Sequence, residues 1–308
     1  MAEPSSFKPI LTLYGGDNLH GSRIPPDLYA ACHTSLQSYL RSAHTLLRNG
    51  STALDAAVHA ICLLEDDPLF NCGRGSTFTK DGTIEMNASI MVTTMQPAAR
   101  QAIKRGAGVT GVRNLRHPIR LAHEALIRMA AAGSPVDELG HMHTELVSPE
   151  VETLARDCGI EVCSDEWFFT QKRWDEHTAG LEGEKDKKEP VSLQETVGCA
   201  CLDQWGNLVI ATSSGGLTNK LPWKIGDTPT IGGGETVLED SSAGGLLRDT
   251  GNWLGDCVSR SWRNQLTPNY SPLPGNGPSR QQDPKDGSDP RYCRSFTQYA
   301  KVDVYDGI

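Results

Sequence analysis

No run of 18 apolar residues occurs anywhere in the 308-residue sequence, which excludes a conventional membrane-crossing helix. Met1 to Lys8 lacks the basic region and apolar core of a secretory signal. Positive charge is in deficit: 29 Lys and Arg stand against 38 Asp and Glu, a net charge of -9. That is the wrong sign for nucleic acid or an anionic membrane surface as the main partner. The nine cysteines, spread from Cys32 to Cys293, contain no C-x-x-C pair. No His or Cys pair at suitable spacing completes a zinc site, so Cys199 and Cys201 read as small core residues on one strand face. Reduced, mostly buried thiols in the cytoplasm are expected, with a disulfide framework as the alternative. Hydrophobic content, 38%, is a little low for a globular protein, and internal repeats are absent. Apolar residues thin out after about position 235, so the core belongs to the first three quarters. Thr267 to Pro290 is rich in Pro, Gly and polar residues and is expected to be disordered.

What is present reads as alternating helices and strands. Ile10 to Tyr14 is a short strand stopped by Gly15-Gly16. Between Thr34 and Asn49, Leu36, Leu40, Ala43 and Leu47 recur at helical spacing, with Gly50 as the stop. Thr52 with Asp55 three residues on caps a second helix, whose stripe is Ala56, Ala57, Ala60, Ile61 and Leu64. Pro68 breaks it, and Leu69 to Ser76 is a Gly-rich connector. A half-buried strand follows the Asp81-Gly82 turn, with Ile84, Met86, Ala88 and Ile90 inward. Gly106 to Val112 reads as another strand. Helices are expected from Pro118 to Gly133 and after Ser148-Pro149. From His177 to Glu195 periodicity disappears, and the charged stretch Leu181 to Pro190 reads as a solvated mobile loop. Two strands, 197–202 and 208–213, then flank the turn Gln204-Trp205-Gly206-Asn207. A sheet covered by helices accommodates this order.

That hairpin holds the chemistry. Thr196 heads its first strand directly after the mobile loop, where a peptide bond is flexible and reachable. The second strand ends in Ser213-Ser214-Gly215-Gly216. A threonine activated by its own terminal amine is a known nucleophile, although by itself Thr196 reads more readily as an ordinary strand-start residue.

Three blocks narrow the choice: Leu64-Glu65-Asp66-Asp67-Pro68-Leu69-Phe70-Asn71-Cys72-Gly73-Arg74-Gly75-Ser76, Gly111-Val112-Arg113-Asn114-Leu115-Arg116-His117-Pro118-Ile119, and Thr196-Val197-Gly198 through Gly226-Asp227-Thr228-Pro229. In order and spacing the chain resembles the plant-type asparaginase / isoaspartyl peptidase family of N-terminal-nucleophile hydrolases over about residues 10 to 234. The resemblance implies a four-layer αββα sandwich of the α+β class. It is made as one precursor that divides into 1–195 and 196–308, with an ordered core to about residue 234. It also implies a small-molecule substrate, asparagine or a β-aspartyl dipeptide, and a dimer of processed heterodimers.

By the same resemblance Thr196 attacks the carbonyl of Glu195, where the family usually has Gly or Asp, and then serves as catalytic nucleophile. Ser214 stands where a second threonine hydroxyl holds it, Asn71 lies beside it, and Gly215 and Gly216 open the backbone to substrate. Asp227 matches the aspartate that binds the substrate's α-amino group. Lys224 replaces the arginine that binds the α-carboxylate, keeping the charge without the two-donor fork; on residues alone it is equally a solvated surface lysine. No organic cofactor is implied, but a structural sodium ion is, held by the backbone carbonyls of Leu64, Glu65, Asp67, Phe70, Cys72 and Arg74.

Further departures are Tyr14 before Gly15-Gly16, Asp17-Asn18 in place of Ala-Gly, and Val92-Thr93 in place of Asp-Gly. After Gly232-Gly233-Gly234 the sequence shows no Thr-Gly-x-Gly-Glu-like segment, from which the family builds its oxyanion hole. Loss of one such donor typically costs about 10²–10³-fold in turnover. A truncated or catalytically silent relative acting as a binding partner is therefore the alternative expectation. A glycosylasparaginase and a threonine endopeptidase are the alternatives within the class.

Overall fold

Cys32, Leu36, Leu40, Ala43 and Leu47 fall on one side of a helix, and all are buried in α1 (Pro26–Arg48). This helix starts earlier than its apolar spacing predicts, because Pro26 supplies a pre-set first turn and Asp27 complements the dipole there. Thr52 caps α2 (Ala53–Asp66) by accepting from the Asp55 N–H at 3.1 Å, as its sequence spacing predicts. The computed structural model describes residues 9–16, 24–93, 106–129, 145–148, 150–182, 196–230, 239–240, 246–247 and 301–303. The expected disordered stretch 267–290 lies outside these residues, as do the loop positions 183–190, Gly133, Asp17 and Asn18.

The strands are β1 (Ile10–Tyr14), β2 (Met86–Val92), β3 (Gly106–Val112), β4 (Glu145–Val147), β5 (Val197–Leu202), β6 (Leu208–Ser214), β7 (Glu239–Asp240), β8 (Leu246–Leu247) and β9 (Lys301–Asp303). Seven of them form one sheet in the order β4-β3-β2-β6-β5-β1-β9. Among the described strands of this sheet, β3 and β4 pair in parallel and the other neighbours are antiparallel. β9, a strand that sequence reading did not anticipate, pairs with β1 through Leu13↔Val302. β7 and β8 pair separately.

Strand alternation sorts the side chains between two faces. Leu11, Leu13, Ala88, Ile90, Val109, Val197, Cys199, Val209 and Ala211 join the main core with α1, α2 and α3 (Pro118–Met129). Ile10, Ala200, Leu202, Leu208 and Ile210 form a smaller cluster with Tyr14 and Met91. The helices and mixed sheet give the expected α+β class.

The hairpin turn is tied to the helix layer by Asp203. Its carboxylate accepts from the Ala53 N–H at the start of α2, 2.9 Å, and from the Trp205 and Asn207 N–H groups, both 3.0 Å. Beyond α3 come α4 (Glu150–Asp157), α5 (Asp165–Phe168) and α6 (Gln171–Leu181). The loss of periodicity expected from His177 is corrected here, since α6 stays helical to Leu181. Thr170 caps it. Trp174 meets Phe78 edge-on, with ring centroids 5.2 Å apart. His177 Nδ1 bonds to Asn219 Oδ1, and Asn219 Nδ2 donates to the His177 carbonyl.

Candidate active site

Thr196 immediately precedes β5, part-buried. Alternation places it with Gly198 and Ala200 on the face away from the main core. Gly198 pairs with Thr212 and Val197 with Ser213, so continuing the register sets Thr196 across from Ser214. The hydroxyl that reaches Thr196 is nevertheless that of Thr228, with Oγ1 to Oγ1 at 2.9 Å. The Thr228 carbonyl accepts from Ser89 Oγ at 2.6 Å and from Thr212 Oγ1 at 3.4 Å. Ser89 and Thr212 also bond to each other at 2.8 Å. Ser214 Oγ turns to the end of its own strand, accepting from the Gly216 N–H at 3.0 Å.

Asn71 is buried beside this turn. Its Nδ2 donates to the Gly216 carbonyl at 2.8 Å, its Oδ1 accepts from the Thr77 N–H at 3.1 Å, and its own carbonyl accepts from the Gly215 N–H at 2.8 Å. Thr77 Oγ1 adds a donor to the Gly216 carbonyl at 3.0 Å. A Cβ on Gly215 would lie 2.6 Å from Asn71 Oδ1 and 2.8 Å from Ser76 Cα, so only glycine fits between them. Gly216 is left-handed, φ 76°, a conformation that costs glycine nothing. Asn71, Gly215 and Gly216 thus form one hydrogen-bonded unit.

Lys220 closes this turn from below. Its Nζ donates to the Gly215 carbonyl at 2.9 Å and to the Glu85 carbonyl. Burial pushes its amine down to about 8, against the opposing charge of Glu85. Trp223 is left-handed at φ 65°, unusual for a bulky residue, and its N–H is held by Glu85 Oε2 at 2.8 Å. Lys224 and Asp227 follow it, both exposed, on the segment that ends at Thr228. Glu195 lies outside the described residues.

The Leu64 to Arg74 loop is tight. A Cβ on Gly73 would lie 2.1 Å from the Glu65 carbonyl oxygen, and one on Gly75 would lie 2.0 Å from that of Phe70. The Leu64, Asp67 and Cys72 carbonyls each accept one backbone N–H, and a carbonyl oxygen has a second lone pair. The second lone pairs on these carbonyls are the kind of oxygen donor a hard cation takes, and the donor set Leu64, Glu65, Asp67, Phe70, Cys72 and Arg74 fits in chemistry the sodium ion that the resemblance implies. Buried Arg173, 1% exposed, donates from Nε to the Gly75 carbonyl at 2.7 Å and pairs with Glu176 at 2.9 Å.

The side chain of Glu65 performs a separate task. Its Oε1 accepts from Ser213 Oγ at 2.7 Å and from the Ile119 N–H at 3.1 Å, joining α2, β6 and the start of α3. Burial pushes its carboxyl up to about 8, with those two hydrogen bonds acting the other way. Glu65 therefore holds its proton to a higher pH than an exposed glutamate does.

Sequence reading missed Thr228, Lys220, Arg173 and the Glu65 carboxyl as parts of the site. Thr228 had one available signal, a hydroxyl directly after Asp227, the position to which the resemblance assigns substrate binding. Arg173 had none, because a buried arginine lies in a stretch of polar composition.

The asparaginase family profile matches residues 7–244. The chain is 35% identical over 210 residues to an isoaspartyl peptidase of Escherichia coli, covering 65% of this chain and 58% of that protein. It is 34% identical over 207 residues to the isoaspartyl peptidase of Salmonella typhimurium, covering 65% and 60%. It is 32% identical over 242 residues to an isoaspartyl peptidase/L-asparaginase of Bos taurus, covering 77% and 70%. The chain thus spans less than two thirds of the length of the two bacterial relatives.

Proposed function

Because the chain belongs to the asparaginase family, we propose that it is an autoprocessing threonine hydrolase. Its substrates in this reading are L-asparagine, at the side-chain amide, and isoaspartyl dipeptides. The observation that supports this most is the placement of Thr196. It heads a central strand with its hydroxyl bonded to Thr228, the neighbour of the substrate anchor Asp227, in a family whose relatives carry isoaspartyl peptidase names.

The Thr196 hydroxyl adds to the Glu195 carbonyl carbon, the C–N bond breaks, and the hydroxyl proton passes to the departing nitrogen. Water opens the resulting ester. The freed α-amine, with an ordinary pKa of about 7.7–8.0, then acts as base for the same hydroxyl near neutral pH. Thr196 next attacks the substrate amide, ammonia or an amine leaves, and water hydrolyses the acyl-enzyme. Lys224 takes the α-carboxylate and Asp227 the α-amino group. Asn71 and Ser214 fix the Gly215-Gly216 turn that faces the substrate.

The carbonyls of Leu64, Glu65, Asp67, Phe70, Cys72 and Arg74 would hold a sodium ion, whose charge stiffens the loop carrying Asn71. The processed halves pair as a dimer of heterodimers. A reducing, cytoplasmic setting is supported by the unbridged thiols of Cys32, Cys62, Cys72, Cys163, Cys199 and Cys201; among the described residues no helix is long and apolar enough to cross a membrane.

The competing reading, a silent relative acting as a binding partner, is favoured by Lys224 in the arginine position. A denaturing gel after incubation separates the two. The hydrolase yields fragments 1–195 and 196–308, and Thr196→Ala stays whole. A wild-type band that never splits, with no ammonia released from asparagine, overturns the hydrolase reading.

A further inference from the structure

Thr228 is held by contacts from several strands. Its carbonyl takes hydroxyl bonds from Ser89 on β2 and Thr212 on β6. The next carbonyl, that of Pro229, sits so close to β3 that a Cβ on Gly108 would lie 2.1 Å from it. Three adjacent strands therefore fix one buried residue, while its neighbours Lys224 and Asp227 stay in solvent. The side chain so fixed reaches across the sheet face to Thr196 Oγ1 at 2.9 Å. Ser214, the hydroxyl opposite Thr196 in register, is engaged by the Gly216 N–H instead.

We propose that Thr228 is the positioning residue of the nucleophile, holding the Thr196 hydroxyl in one rotamer both for self-cleavage and for substrate attack. The inference rests on the nucleophile reading of Thr196 and goes beyond it. A threonine side chain has several staggered rotamers, and only one aims its oxygen at a given carbonyl. Either hydroxyl can donate in this 2.9 Å pair; the positioning role uses the arrangement in which Thr228 Oγ1 accepts from the Thr196 O–H, which leaves the Thr196 oxygen lone pairs free to attack. Thr228 takes no proton away: in the self-cleavage step the proton still ends on the departing nitrogen.

The test is the rate of self-cleavage of the full chain, followed on denaturing gels. Thr228→Val keeps the shape and removes the hydroxyl; one neutral hydrogen bond converts to a slowing of roughly tenfold. Thr228→Ser restores the hydroxyl and returns the rate to within about threefold of wild type, a rescue that a merely space-filling role does not require. Exposed Thr230→Ala cleaves at the wild-type pace. In processed enzyme, Thr228→Val lowers kcat with KM for a β-aspartyl dipeptide little changed, as expected for lost orientation. Should the valine variant melt early, Thr228→Ala is compared with Thr228→Ser in its place. A wild type that cleaves while the hydroxyl-free variants keep pace overturns this inference alone. A wild type that stays whole overturns the hydrolase reading and this inference together.

Discussion

Arg173 donates from Nε to the Gly75 carbonyl at 2.7 Å across 98 residues of sequence, pinning the loop that carries Asn71 to helix α6. Its Nη1 pairs with Glu176, itself buried. Arg173→Met breaks the 2.9 Å pair with buried Glu176, and breaking such a pair typically costs about 3–5 kcal/mol. Urea denaturation of the variant checks this. The double variant Arg173→Met, Glu176→Leu recovers much of the loss, because neither buried charge then has to be desolvated.

Glu65 should make stability fall with rising pH. Its folded pKa, about 8, is raised above the ordinary carboxylate value. As pH climbs, the unfolded chain releases this proton first, so the contribution is fully present below about pH 4.5 and lost as pH rises towards 8. Glu65→Gln keeps an acceptor for Ser213 and Ile119 but cannot ionise. Urea melts at about pH 5 and 8 should show the drop between them shrinking by at least about 1.4 kcal/mol, the worth of one pKa unit.

Gly215→Ala forces a methyl against Asn71 Oδ1 and Ser76. Overpacking of this kind typically costs about 1–3 kcal/mol. Because the same shift pulls the Gly216 carbonyl away from Asn71, activity falls further than thermal stability, as parallel melts and ammonia-release assays should show.

Lys224→Arg restores a planar, two-donor guanidinium at an exposed position. The variant is expected to lower KM for β-aspartyl dipeptides by roughly fivefold, the equivalent of about 1 kcal/mol, with kcat little changed. Steady-state kinetics on both proteins measure it.

Local chemistry made much of this protein legible in its sequence. Thr52 with Asp55, the apolar stripe of α2, the small β-branched run of β3 and the β5–β6 hairpin follow from rules that act within a few residues. The expected hairpin, 197–202 and 208–213, is observed at Val197–Leu202 and Leu208–Ser214. The first sequence block was legible for a similar reason, since Gly73 and Gly75 answer to the Glu65 and Phe70 carbonyls close by, whereas Gly215 answers to Asn71 and Ser76 far off in the chain. Helix α6 was missed because its support is remote: Phe78, and Asn219 across 42 residues, leave no period in its own sequence.

The sequence alone determined which residues carry reactive or hydrogen-bonding groups, and where strands and helices begin around them. Tertiary structure decided which of these groups meet. Thr228 approaches Thr196 across 32 residues, Ser213 bonds to Glu65 across 148, and Glu65 keeps its proton only because α2, α3 and β6 together exclude water from it. Desolvation and hydroxyl contacts depend on what lies opposite a residue in space, and neighbouring sequence does not specify that.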